Sequence, residues 1–411
     1  MRPDIRLFGE ATNRFGPPCI RWTASESSVL LANIQSSIAG SIDVTVSKKT
    51  VFIHIGAGKT GTTAIQNCLL ANANKLARNG ILFPNSDYFM RGTPNPDGAP
   101  LRCGNSIRLL YYLTGYADNS WFDKELFHSE LSKAIANHRF VVFSCEYLQY
   151  TEAGRLPGLI EFCQSRGANL ELIYFVRNYA SHAFSTWRQL IIYHGEVLNW
   201  SQFLRRYVED TSINTFATSI RKFSEKFDKS KMKILNYSNQ PKNVVKRFFE
   251  LLGENYNDYT PATEDNVSDS DLVIDAMLEF NKLVGAEFNP STSRLAYDEI
   301  RKLNNTTWAT RSKVLLSRTE YRQFAESLDA QVKFLNANFL GSDPICAAGP
   351  EQISGRGRQA YGYVARSLAR TTAARFASGI PSLRSRQRPI RGALQRLGDF
   401  IATKSLERML S

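Results

Sequence analysis

The stretch Val51 to Gln66, VFIHIGAGKTGTTAIQ, limits what this chain can fold into more than any other. A short apolar run, Val51 to Ile55, leads into a loop with glycines at 56, 58 and 61, and a helix-compatible run follows from Thr62 to Ala77. The order strand, glycine-rich loop, helix builds an anion site. Glycines let successive backbone N–H groups turn toward one point, and the helix N-terminus adds partial positive charge there. Lys59, Thr60, Thr62 and Thr63 add a cation and hydroxyl donors.

The nucleoside-triphosphate loop G-x-x-x-x-G-K-[ST] fits only in its second half, Gly58-Lys59-Thr60. Its first glycine would have to be Ile53, which lies inside the strand. The stretch instead contains Lys59-Thr60-Gly61-Thr62-Thr63, which resembles the K-x-G-T-T loop of the sulfotransferase superfamily. Those enzymes take a sulfuryl group from 3′-phosphoadenosine 5′-phosphosulfate (PAPS). Many members carry Trp after the second Thr, near the adenine; here the position is Ala64, so the adenine contact stays unassigned.

A second motif supports the resemblance. Val176 to Ser185 reads VRNYASHAFS, and the family binds the donor's 3′-phosphate with an Arg at a strand end and a Ser eight residues later, the spacing of Arg177 and Ser185. A guanidinium can meet phosphate bidentately, and a serine two helical turns on can add a hydroxyl. Taken singly, Arg177 could be a sheet-end ion pair and Ser185 a solvated helix residue. The family's usual Pro two residues after the Arg is Tyr179 here. The resemblance covers about Val51 to Gly253. Within it, Tyr237 and Phe248-Phe249 read as packing, the late G-x-x-G-x-x-K clamp has no good counterpart, and Asn266-Val267-Ser268 is a weak match to a second donor contact.

The resemblance implies PAPS as donor substrate and no metal. Lys59 would neutralise the leaving phosphate oxygen, and Gly61, Thr62 and Thr63, with Thr60, would hold the 5′-phosphate. The acceptor hydroxyl must lose a proton to a nearby base. Glu146, at the end of the strand Phe140 to Ser144, is the chosen base, because carbohydrate-directed members tend to use Glu. His54 on the first strand is the rival, although a lone strand histidine is more often a hydrogen-bonded core residue. His182 and His194 read as packing or solvent-facing. The implied acceptor bears a hydroxyl, with a carbohydrate or glycolipid favoured, and no nucleic-acid partner is expected.

Strands alternate with helices along most of the chain, which predicts an α/β, P-loop-like three-layer fold: a mainly parallel central sheet covered by helices, with helical C-terminal additions. The expected organisation is an N-terminal extension at 1–47, an α/β domain at 48–342 and a basic tail at 343–411. The Pro/Gly/Asn/Asp-rich stretch Asn85 to Asn105 is a candidate acceptor lid. Of the formal net charge of +13, the segment from Glu351 onward holds twelve Arg/Lys against three acids. Within it Ile390, Leu394, Leu397 and Ile401 fall at helical spacing, so a basic amphipathic helix could dock on the protein itself or touch an anionic membrane. Six well-separated cysteines and the lack of a long apolar run fit a cytoplasmic, bacterial enzyme. Two other functions compete: a P-loop nucleotide kinase or NTPase, and a non-catalytic module recruited to polyanion or membrane. The oligomeric state is open.

Overall fold

The computed structural model describes residues 48–84, 104–114, 122–151, 153–239, 243–261, 271–285, 290–303 and 318–347, with 366, 369 and 372. All belong to the compact unit Lys48–Ser411. Of the lid candidate Asn85 to Asn105 only 104 and 105 are described, and the 266–268 match and the amphipathic helix of the tail lie outside the described residues.

In chain order the elements are β1 (Lys49–Ile55), α1 (Thr62–Ala71), α2 (Ala73–Arg78), β2 (Ile81–Leu82), α3 (Ile107–Thr114), α4 (Lys124–Asn137), β3 (Phe140–Cys145), α5 (Leu156–Ser165), β4 (Ala168–Val176), α6 (Tyr179–His194), α7 (Trp200–Glu209), α8 (Phe216–Ser224), β5 (Met232–Asn236), α9 (Val244–Leu251), α10 (Asp271–Val284), α11 (Pro290–Leu303) and α12 (Arg318–Leu335). The strands form one sheet in the order β2-β3-β1-β4-β5, and every pairing is parallel. The fold is therefore α/β with a central parallel sheet, as the alternation of strands and helices predicts.

Side chains alternate across the sheet with period two and divide the interior into two cores. Val51, Ile53 and Ile55 of β1 join Leu170, Leu172 and Tyr174 of β4 in the larger core, under α3 to α8 and α10 to α12. Phe52, Ile173 and Phe175 face the other way, onto Ile65 and Leu69 of α1, Leu76 of α2, and Phe248 and Phe249 of α9. Both faces are covered, which is why the strands read as continuous apolar runs.

Two local outcomes depend on distant residues. The helix expected from Thr62 to Ala77 breaks at Asn72, whose Nδ2 donates to the carbonyls of Cys68 (2.8 Å) and Thr260 (2.9 Å) while its Oδ1 accepts from the Thr260 N–H (3.0 Å). β1 starts two residues early, at Lys49, whose ammonium donates to the Ile135 and Ala136 carbonyls at the end of α4.

Phe248 is fully buried, with its ring 5.2 Å from that of His54. Phe248→Ala should cost about 3–5 kcal/mol. The measurement is urea unfolding, where the midpoint should fall while the slope stays unchanged.

Candidate active site

Parallel pairing brings the carboxyl ends of the strands to one rim, the edge at which open parallel sheets bind ligands. From β1 the chain runs to β2 and β3 on one side and then crosses over to β4 on the other, so the loop after β1 sits at the switch point of the strand order. Ile55 is in register with Cys145 and Tyr174, and the Gly56 N–H donates to the Cys145 carbonyl (3.1 Å). Glu146 follows at once, in a 3₁₀ turn, Glu146–Tyr150. A methyl group added to Gly56 would come within 3.2 Å of the Glu146 Cγ. Arg177 follows β4, and Tyr237 follows β5 with its N–H on the Val176 carbonyl (2.7 Å). Loop, carboxylate, guanidinium and phenol ring therefore share one edge of the sheet.

The loop is held by its carbonyls. Thr60 Oγ1 and Thr62 Oγ1 both donate to the Ala57 carbonyl, at 2.6 and 3.2 Å. His182 Nε2 lies 3.1 Å from the Gly58 carbonyl, and Arg177 Nη1 donates to the Lys59 carbonyl at 3.1 Å and to Ser185 Oγ at 3.0 Å. Lys59 has φ 65°, alone among the described non-glycine residues in the left-handed region. That backbone costs on the order of 1–3 kcal/mol and persists because its surroundings over-determine it. Gly61, at φ 83°, caps α1, and a Cβ there would lie 2.7 Å from Val244 Cγ1.

The expected ligand donors separate on this geometry. Lys59, Gly61, Arg177 and Ser185 come together, and Thr63, in the first turn of α1, is exposed. Thr60 and Thr62 are both fully buried, and both hydroxyls staple the loop to its own Ala57 carbonyl. His54 is walled in, with ring centroids of Phe175 and Phe248 at 5.8 and 5.2 Å and Nδ1 2.8 Å from Ser144 Oγ. Burial pushes its pKa down to about 3.

Lys59 and Glu146 are a coupled pair. Burial lowers the lysine pKa, an effect Glu146 opposes and Arg177 and Arg188 reinforce. Burial raises the Glu146 carboxyl, and Lys59 opposes that shift. A carboxylate held above its ordinary range beside a desolvated cation suits proton acceptance.

Two contributors escape the sequence reading. Tyr237, expected to be packing, lies under the Arg177 guanidinium, with 5.3 Å from its carbon to the ring centroid, and also beside Gly61. His182 is buried against the loop. The only available signal was its position on the α6 face between Arg177 and Ser185, and that spacing says nothing about a partner 124 residues away.

Among the described residues there is no group of three or more His, Cys, Asp or Glu placed to hold a metal, and no helix is long and apolar enough to cross a membrane.

These features define an α/β protein with an anion loop at the switch point of its sheet. No family model matches the chain, and no curated protein matches it in sequence. Among solved structures it is similar to a sulfotransferase from Alicyclobacillus acidocaldarius (18% identity, 60% of this chain and 94% of that one, TM-score 0.31). It is also similar to the sulfotransferase domain of the Synechococcus PCC 7002 olefin synthase (13% identity, 61% and 93%, TM-score 0.28). The functional reading rests on this chain's own residues.

His54 and His182 both have pKa values pushed to about 3, against 6.5 for an exposed histidine. Below pH 6.5 the unfolded chain takes up protons that the folded chain refuses, so stability is lost as pH falls, by about 2 kcal/mol per histidine at pH 5. The melting temperature should therefore drop between pH 7 and pH 5, and His54→Leu should flatten part of that drop.

Proposed function

We propose that this chain is a sulfotransferase that moves a sulfuryl group from PAPS to a hydroxyl acceptor, with a carbohydrate or glycolipid favoured. The observation that carries the reading is the double contact of Arg177 with Lys59 and Ser185, which joins two anion anchors at one rim. A nucleotide carrying phosphate at both its 5′ and 3′ positions has charges to meet both. The loop amides of Gly61 to Thr63 would hold the 5′-phosphate, Arg177 and Ser185 the 3′-phosphate, and Tyr237 would lie along the nucleotide between them.

In the reaction, the acceptor oxygen attacks sulfur and the sulfur–oxygen bond to the 5′-phosphate breaks, releasing 3′-phosphoadenosine 5′-phosphate. Negative charge develops on the leaving oxygen, where the Lys59 ammonium offsets it. The acceptor proton passes to the Glu146 carboxylate, whose burial raises its affinity for that proton. His54 is set aside as the base because its ring is enclosed by the α1/α9 core. In-line transfer of this kind needs positioning and electrostatics, as phosphoryl transfer does. We place the enzyme in the cytoplasm, where the buried thiols of Cys68, Cys145 and Cys163 would stay reduced.

Calorimetry should give tight binding of 3′-phosphoadenosine 5′-phosphate and much weaker binding of ATP; the reverse order would favour the kinase or NTPase reading. Lys59→Ala should abolish labelled-sulfate transfer to a glycan panel.

Glu146→Gln should keep donor binding and lower turnover about 10²-fold or more. In the wild type, activity should rise with pH as the carboxyl, its pKa raised above 4.5, loses its proton. The variant should lack that limb, and undiminished turnover in it would remove Glu146 from the base role.

A further inference from the structure

Three consecutive carbonyls of the loop after β1, those of Ala57, Gly58 and Lys59, each accept a side-chain hydrogen bond. Holding the carbonyls in this way also fixes the peptide planes of the loop, and with them the N–H groups those planes carry. The Ala57 bonds are local, from Thr60 and Thr62. The other two come from the β4–α6 segment, more than a hundred residues later.

The Gly58 bond forms the end of a buried chain of contacts. A carbonyl can only accept, so His182 must carry its proton on Nε2 to donate to the Gly58 oxygen. Its Nδ1 is then an acceptor, and the Tyr207 hydroxyl, 2.7 Å away, donates to it. Tyr207 is fully buried on α7. That helix is fixed by a reciprocal cap between Asn199 and Gln202 and by the Arg206–Glu196 ion pair at 2.8 Å. The histidine ring also packs on Phe216, with centroids 4.5 Å apart.

We infer that His182 is a positioning residue for the anion loop: Tyr207 sets its tautomer, and its Nε2–H fixes the Gly58 carbonyl so that the amides beyond it point at the ligand. The arrangement ties the loop after β1 to helices of the opposite layer, so donor-site geometry depends on α7 as well as on the loop's own glycines. Burial keeps the ring neutral, so it acts by hydrogen bonding and adds no charge to the site. The loop-holding role stands on geometry alone, whereas its effect on the donor rests on the function proposed above.

The test has one readout for each claim. Amide hydrogen exchange in the free protein reads the loop directly. His182→Leu should speed exchange in the peptide covering residues 56–63 about tenfold or more, as expected when a buried carbonyl loses its donor. Tyr207→Phe should do so by a smaller factor, and the strands β1 and β4 should stay protected in both. His182→Gln, whose amide can supply an N–H at the same end, should restore slow exchange. Should His182→Leu loosen the whole sheet, Tyr207→Phe and His182→Gln decide the matter. Unchanged loop exchange in Tyr207→Phe together with a failure of His182→Gln to protect the loop overturns the proposal.

Binding of 3′-phosphoadenosine 5′-phosphate and of adenosine 5′-phosphate reads the consequence. His182→Leu should weaken both by a similar factor, because the 5′ anchor is displaced while the 3′-phosphate anchor is kept. If the loop loosens as described but the wild-type protein binds neither nucleotide, the positioning role survives and the sulfotransferase reading falls.

Discussion

The Arg177 guanidinium is the contact on which the site's architecture depends. It is largely enclosed, lies over the Tyr237 ring, and donates from one nitrogen to both the Lys59 carbonyl and Ser185 Oγ. A cation taken out of water in this way is costly unless an anion or several aligned acceptors compensate. Two neutral oxygens and a ring face are the compensation it has here, and a guanidinium so placed is the group to which the proposed reading gives the donor's 3′-phosphate.

The parallel sheet makes this contact possible. Register between β1, β3 and β4 fixes the heights at which the three strands end, and one residue beyond those ends come the loop, Glu146 and Arg177. Because the strands are buried on both faces, a slip in register would disrupt two cores at once. The loop grows directly from a strand buried on both faces, and Lys59 is held there with a left-handed backbone that an isolated loop would abandon. The opposing effects on Lys59 and Glu146 follow from the same placement. Each is shifted by burial and partly restored by the other, so a carboxyl and an ammonium stand within electrostatic reach at the edge of the sheet.

Much of this was legible beforehand where the information is local. Apolar runs broken by glycine gave β1 and the loop that follows it. The Arg177–Ser185 spacing placed the two residues about two helical turns apart, and they are bonded. What failed to show was long-range. Asn72 looked like one more helix residue until Thr260 met it, the inward bond of the Thr60 hydroxyl to Ala57 had no signal in the sequence, and Tyr237 looked like packing until it met Arg177.

The sequence by itself determined the alternation of elements, the glycine-bearing anion loop and the residue types able to neutralise phosphate, because these are set by backbone freedom and side-chain chemistry over a few residues. Only the tertiary structure decided that His54 would be enclosed by aromatic rings while Glu146 stands at the rim, and that His182 and Tyr207 would reach the loop from another layer. Burial and hydrogen-bond partnership are properties of elements packed together, and nothing in the spacing of residues along one strand or helix encodes what the neighbouring layer brings against it.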